Sequence, residues 1–360
     1  MKHLLRHACD TAKTHAIGSA LGLLGAPALQ SMARSHMQHA GLILMFHHVA
    51  PPDANRLAVN KGLEVMPETL DQVLSCLKAQ DYDLVSMDAV PERLANASRG
   101  QRRFAALTFD DGARDNLIHA APVLLRHGAP FTVYVTTGFT SGEAAPWWHV
   151  VERAALSAQS LTLETQDGLH RFNTSSRADK ERSALALHNC LWRASETMRA
   201  EHAASLARQA GLDMPALCRE LFMDWAELAD IAALPGCSIG AHTRTHPKLA
   251  EISESAAMAE IGDARDRIRQ RLNREARHLS YPYGVAGCCD AREYELARKA
   301  GYATAVTTRR RMLAGSDVQE LTSLPRIPIN GHYQHPLMIA ALVSGLPMAL
   351  AASLTSRRDP

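Results

Sequence analysis

The amino-acid sequence predicts an α/β fold built from parallel βαβ units, and three observations predict it. Short apolar runs of strand length recur at 41–46, 104–109 and 131–135. Stretches with helical periodicity lie between them. After a long interruption, the same alternation resumes near residue 238 and continues to about 329.

Each element has its own signal. Gly41-Leu-Ile-Leu-Met-Phe46 is continuously apolar, the pattern of a strand covered on both faces. A loop follows at Pro51 and Pro52, and residues 67–80 then place Leu70, Val73, Leu74 and Leu77 on one helical face. Phe104–Phe109 is a second buried strand, 115–127 a helix, and Phe131–Val135 a third strand. Residues 144–225 leave this rhythm. They contain Trp147, Trp148, Trp192 and a polar helical stretch, Lys180–Gly211. That segment is expected to be a helical insertion decorating the main domain. Beyond it come a strand ending at Ser238–Gly240, an amphipathic helix over Ser253–Leu272 and a strand at Leu279–Tyr281. A helix at Glu293–Ala300, a strand at Ala303–Thr307 and a last strand within Leu324–Ile329 complete the series. The expected organisation is a leader over 1–40, one main domain over 41–335, and a C-terminal helix and tail over 336–360.

Composition narrows the function. The 360 residues are 46% hydrophobic and 21% charged, the balance of an ordinary globular protein. A net charge of +2 does not argue for nucleic acid as a partner. Seven Cys, an odd number with no C-x-x-C pair, argue against a disulfide framework or a structural zinc module. Adjacent Cys288 and Cys289 read as buried small side chains before reactive thiols. Lys2, Arg6 and Lys13 precede a mildly apolar stretch, Ile17–Leu29, which imitates a signal peptide. The segment is long, contains Asp10 and is rich in Gly and Ala. An uncleaved leader, amphipathic or loosely ordered, on a cytoplasmic protein is the expectation. No stretch approaches the roughly 20 apolar residues of a membrane span. The nearest, Pro336–Leu354, is broken by Gly345 and Pro347.

Three motifs carry chemistry. In Leu107-Thr-Phe-Asp-Asp-Gly112, two carboxylates sit at the end of an apolar strand, where active sites of parallel α/β folds collect. Adjacent side chains on an extended chain point apart, so one carboxylate can bind a metal while the other moves a proton. Asp-Asp-Gly is equally good turn chemistry. The segment Gly240-Ala-His-Thr-Arg-Thr-His-Pro247 favours the first reading. On a helical turn, His242 and His246 would face the same side and share a metal. Two His and one Asp suit Zn²⁺ or a similar divalent ion and leave positions open for water and substrate. Finally, Leu279-Ser-Tyr-Pro-Tyr-Gly284 is a tight turn after a strand, able to aim a backbone N–H at a substrate oxygen.

In this order the three motifs resemble the polysaccharide deacetylase family, which includes the chitooligosaccharide deacetylases with a NodB homology domain. The resemblance covers about 41–335. It implies a distorted (β/α) barrel of about seven strands. It also implies a metal held by Asp111, His242 and His246, with Asp110 as general base and the Tyr283 N–H on the oxyanion. Such members commonly carry an Arg before the Pro-x-Gly turn, to orient the base. Tyr281 stands there in this chain. Arg326, in Leu-Pro-Arg-Ile-Pro-Ile, is the candidate substitute, set against an ordinary strand-end Arg. The C-terminal Leu-x-His that supplies the general acid is missing. Met45-Phe-His-His-Val49 looks instead like the poly-N-acetylglucosamine deacetylase branch, in which an N-terminal His is the acid. His47 is the candidate, His48 the second, and His332 and His335 weaker rivals; a core His is the plain alternative.

The expected activity is metal-dependent removal of N-acetyl groups from an oligo- or polysaccharide containing N-acetylglucosamine. Zn²⁺ is the expected metal, and Co²⁺, Ni²⁺ and Mn²⁺ also suit the donors. Trp147 and Trp148 either stack on sugar faces or anchor the inserted helices. An O-acetyl esterase on the same scaffold is the first alternative. A catalytically silent glycan-binding protein is the second, and the intact Asp pair and His pair argue against it.

Overall fold

A computed structural model describes residues 14–29, 39–98, 101–165 and 167–355. Of the leader, 1–13 and 30–38 therefore lie outside the described residues, as do Cys9 and the tail at 356–360. Residues 14–24 form a helix.

Seven parallel strands make the central layer: β1 (Gly41–Phe46), β2 (Phe104–Phe109), β3 (Phe131–Val135), β4 (Cys237–Ala241), β5 (His278–Ser280), β6 (Thr304–Val306) and β7 (Ile327–Pro328). Their order is β6-β5-β4-β3-β2-β1-β7, so the chain winds one way round, with β7 returning to β1. A short strand, Asp83–Val85, pairs with the first half of β2, while β3 pairs with the second half. Just before β7, Leu324 bridges in parallel to Val306 of β6. One segment thus touches both ends of the sheet and curls it into the distorted barrel that the family resemblance implied.

Both faces of the strands are buried, which is why they read as unbroken apolar runs. Leu42, Leu44 and Phe46 pack with Leu70, Val73, Leu74 and Leu77 from the helix Pro67–Ala79. Ile43 points the other way and packs with Ala106, Tyr134, Val306 and Leu324. The sheet therefore has a helix-covered outer face and an inner face that its own curvature closes.

The interruption differs from its expected form in two ways. It is not wholly helical, because Ser160–Thr165 and Gly168–Asn173 pair as an antiparallel hairpin after the helix Trp147–Ser157. Its polar helical stretch is two helices, Arg177–Arg193 and Glu196–Gln209. The break has a visible cause. Ser195 caps the second helix, accepting from the Met198 N–H, and buried Arg199 donates to the Leu191 and Ala194 carbonyls that end the first. A separate apolar cluster, from Trp147 and Trp148 to Leu217 and Phe222, holds these elements together. Cys288 and Cys289 are buried and free.

Candidate active site

Strand β2 delivers the carboxylates. The Asp110 N–H still donates to the Phe46 carbonyl at 2.9 Å, and then the backbone swings into left-handed conformations at Asp111 (φ +70°) and Gly112 (φ +76°). Six non-glycine residues have such positive φ among the described residues, and four of them, Asp111, Thr243, His246 and Tyr283, surround this one site. Strain of roughly 1–3 kcal/mol per residue is held where the surroundings over-determine the geometry.

Asp110 faces a buried arginine. Arg326 approaches from the segment between Leu324 and β7 and binds Asp110 through both carboxylate oxygens, Nη1–Oδ1 at 2.8 Å and Nη2–Oδ2 at 2.7 Å. Its remaining N–H groups donate to the Thr307 carbonyl, Thr108 Oγ1 and Ser280 Oγ, so all five donors are used. Ser280 Oγ also donates to Asp110 Oδ2 at 3.2 Å. Burial pushes the Asp110 carboxyl up, but the pull of Arg326 and His242 outweighs it and holds the group below the usual carboxylate range. Tyr281, which stands where the family places its Arg, points elsewhere: it is fully buried, and its hydroxyl donates to the Thr322 carbonyl.

Asp111 gathers both histidines. His242 Nε2 lies 3.4 Å and His246 Nε2 3.5 Å from Asp111 Oδ1, and all three residues are buried. The pairing of His242 and His246 does not come from a helical turn, as the spacing suggested. Residues 242–246 follow β4 as a loop with left-handed Thr243 and His246, braced by Glu260, which accepts from the Arg244 and Thr245 N–H groups. His242 Nδ1 donates to the Ser280 carbonyl at 2.7 Å, which leaves Nε2 to face Asp111. Asp111 Oδ1 is buried without a hydrogen-bond partner. Donors around a tetrahedral ion at about 2.1 Å stand about 3.4 Å apart, so the donor set and its spacing fit a divalent metal. Burial and then the His242 contact act in opposite senses on Asp111, and the histidines win, holding it well below the carboxylate range. Burial drives His246 down to about 3, so it stands ready as a neutral ligand.

The third motif completes this wall. Tyr283 sits in the turn after β5 with φ +63°, and Thr308 pins the turn by donating to the Tyr283 and Gly284 carbonyls. A Cβ on Gly284 would come within 2.6 Å of the Thr308 nitrogen, so only glycine fits there. The Tyr283 ring packs on His246 at 4.8 Å, and its hydroxyl accepts from Trp147 Nε1 at 2.8 Å.

The two N-terminal histidines part company. Burial lowers the pKa of His47 from its usual value, against the electrostatic attraction of Asp111 and Asp110. His48 is engaged at both nitrogens, with Nδ1 2.6 Å from Asp115 Oδ2 and Nε2 3.2 Å from His149 Nε2. His335 caps the helix Pro336–Ser344, accepting from the Leu337 N–H, and His332 is exposed. Trp147 and Trp148 are buried against Tyr283 and His246, so they anchor the insertion; together with Glu143, Arg199, Thr245 and His246 they also line a pocket of about 310 Å³.

Sequence reasoning missed five residues here. Thr108 and Ser280 had a readable signal, as polar residues at the ends of apolar strands. Thr307, Asp115 and His149 had none, because their partners are remote in sequence and only the fold brings them close.

Comparison with known proteins identifies the family and the fold. A family model described as polysaccharide deacetylase matches residues 97–305, more than half of the chain. The span includes Asp110, Asp111, His242, His246 and Tyr283 and excludes His47 and Arg326. Among solved structures, the fold is similar to the Streptococcus pyogenes deacetylase PplD in complex with acetate, at 20% identity and TM-score 0.56, over 84% of this chain and 97% of that one. It is similar to IcaB from Ammonifex degensii, at 15% identity and TM-score 0.52, over 84% and 97%. It also resembles BC0361, a polysaccharide deacetylase from Bacillus cereus, at 16% identity and TM-score 0.52, over 84% and 68%. No curated protein matches the chain.

Proposed function

Because the chain belongs to the polysaccharide deacetylase family, we propose that it removes N-acetyl groups from an oligo- or polysaccharide containing N-acetylglucosamine, with a divalent metal at Asp111, His242 and His246. The observation that carries this reading is the separation of roles between neighbouring carboxylates. Asp111 lies between two imidazoles, while Asp110 is turned away onto Arg326. A glycan-binding protein has no use for that second, oriented carboxylate.

The chemistry follows from these positions. A divalent ion bound there, Zn²⁺ first among the candidates with Co²⁺, Ni²⁺ and Mn²⁺ also suited, supplies Lewis acidity to water and to the acyl oxygen. Asp110, kept ionised by Arg326, takes the proton of the water that attacks the acetyl carbon. The Tyr283 N–H, at the strained turn, donates to the oxygen that becomes negative. His47 gives a proton to the departing sugar nitrogen, so that water and the N-acetyl sugar become acetate and the free amine. His48 does not compete for this role, since Asp115 and His149 occupy both of its nitrogens.

The test is acetate release by purified protein from N-acetylglucosamine oligomers, with and without a chelator. Release that stops with chelator and returns with Zn²⁺ is the expected result. Release from acetyl esters alone would favour the O-acetyl esterase. Metal binding without turnover of either would leave a binding protein.

A pH profile gives a second expected outcome. Asp110 lies below the usual carboxylate range, so the base is ionised across the working range. His47 lies below its ordinary 6.5, so its protonated form is lost as pH rises through that lowered value. We expect kcat/KM to be highest on the acidic side and to fall toward neutrality. His47→Gln should lower the maximum about 10²–10³-fold and remove the falling limb; a limb that survives in this variant would move the acid to another group.

A further inference from the structure

The terminal segments hold an apolar surface that the catalytic reading leaves unused. Ten large hydrophobic side chains are exposed among the described residues, and five of them, Ile17, Leu23, Leu29, Leu337 and Leu350, fall in 14–29 and 336–355. The other five are spread along the rest of the chain, and exposed apolar side chains are common on protein surfaces. These two segments contain no Asp, Glu, Lys or Arg at all. A surface helix ordinarily turns a charged face to water, so uncharged exposed helices need another explanation.

The segments also lie together. Gly18 packs against Met338 and Tyr333, and the backbone at Gly25 approaches that of Leu337 so closely that no side chain fits between them. The helix 14–24 and the helix Pro336–Ser344 therefore form one pair on the outside of the barrel, where the latter packs on the helix Pro67–Ala79. Leu23 is 70% exposed on this pair, with Leu337 exposed on its partner helix.

Charge points to the occupant. Residues 1–40 carry four Lys or Arg and one Asp, and 336–360 carry two Arg and one Asp. The termini thus hold a net +4 in a chain whose total is +2, which leaves 41–335 at −2. Positive charge is concentrated in sequence around the uncharged apolar helices and absent from the excess of the catalytic body. Among the described residues, no helix is long and apolar enough to cross a membrane. We propose that the paired terminal helices are a docking surface for an anionic lipid bilayer, lying in its interface with Ile17, Leu23, Leu29 and Leu337 inserted, the net positive charge of the flanking sequence favouring anionic headgroups. The enzyme then works at a membrane surface, on glycan carried or extruded there.

The experiment is sedimentation of the full chain with extruded vesicles of phosphatidylcholine, alone or mixed with phosphatidylglycerol. The protein should pellet with the mixed vesicles, little with phosphatidylcholine alone, and less at high salt. Leu23→Glu with Leu29→Glu should weaken the vesicle affinity about tenfold or more while acetate release from a water-soluble oligomer stays unchanged. Lys2→Glu with Arg6→Glu, which changes no residue of the two described helices, should abolish the preference for anionic vesicles. Equal sedimentation on both lipids, none on either, or undiminished binding by these variants would overturn the proposal. So would a dimer of the wild type that the leucine variant turns into a monomer without any vesicle binding, because the surface would then belong to a second copy of the chain.

Discussion

Asp110→Asn is expected to reduce acetate release about 10³-fold while the protein still binds one divalent ion. Asn retains an oxygen that accepts from Arg326, but it cannot take a proton from water. The metal donors Asp111, His242 and His246 are untouched, and Asp110 lies on the opposite side of the turn, against Arg326. Metal titration beside the activity assay separates the two carboxylates. If metal binding were lost with activity, Asp110 would be a ligand and the division of roles would be wrong. Unaltered turnover would remove Asp110 from the chemistry altogether.

Arg326→Met should be as damaging, for a different reason. Arg326 and Asp110 are both buried, and they form a bidentate pair shielded from solvent. Removing one partner of such a pair costs about 3–5 kcal/mol, because the other charge stays in a low-dielectric site. Two changes should appear together in Arg326→Met: a lower midpoint of unfolding, and an upward shift of the acid limb of the pH profile as Asp110 loses the guanidinium that holds its carboxyl down. In the wild type, the stability that the depressed Asp110 contributes is present above the ordinary carboxylate pKa and is lost as pH falls through the lower folded value. A double variant, Asp110→Asn with Arg326→Met, should recover part of the lost stability without recovering activity, since neither charge is then left alone. A simple sum of the two single losses in stability would mean that the pair is not coupled.

These expectations draw on two kinds of knowledge. Sequence alone determined the strands of the βαβ units, because a strand buried on both faces must be apolar throughout, as Gly41–Phe46 and Phe104–Phe109 are. It also determined the carboxylate pair and the two histidines, because local chemistry at strand ends leaves compact motifs. The conformation joining His242 to His246 was misjudged. A four-residue spacing fits a helical turn, but left-handed Thr243 and His246 close a loop instead, and the energy that makes those conformations tolerable comes from Glu260 and the surrounding packing.

Only the tertiary structure decided which charge serves Asp110. Arg326 lies 216 positions away and reaches it because the last strand returns to the first and closes the barrel. Likewise, His47 was separated from His48 only when Asp115, 67 positions on, and His149, 101 positions on, occupied the second ring. A sequence records the types of side chain that a site needs. Which members of each type meet is set by closure of the sheet, since a buried charge is stable only where the fold brings its partner to it.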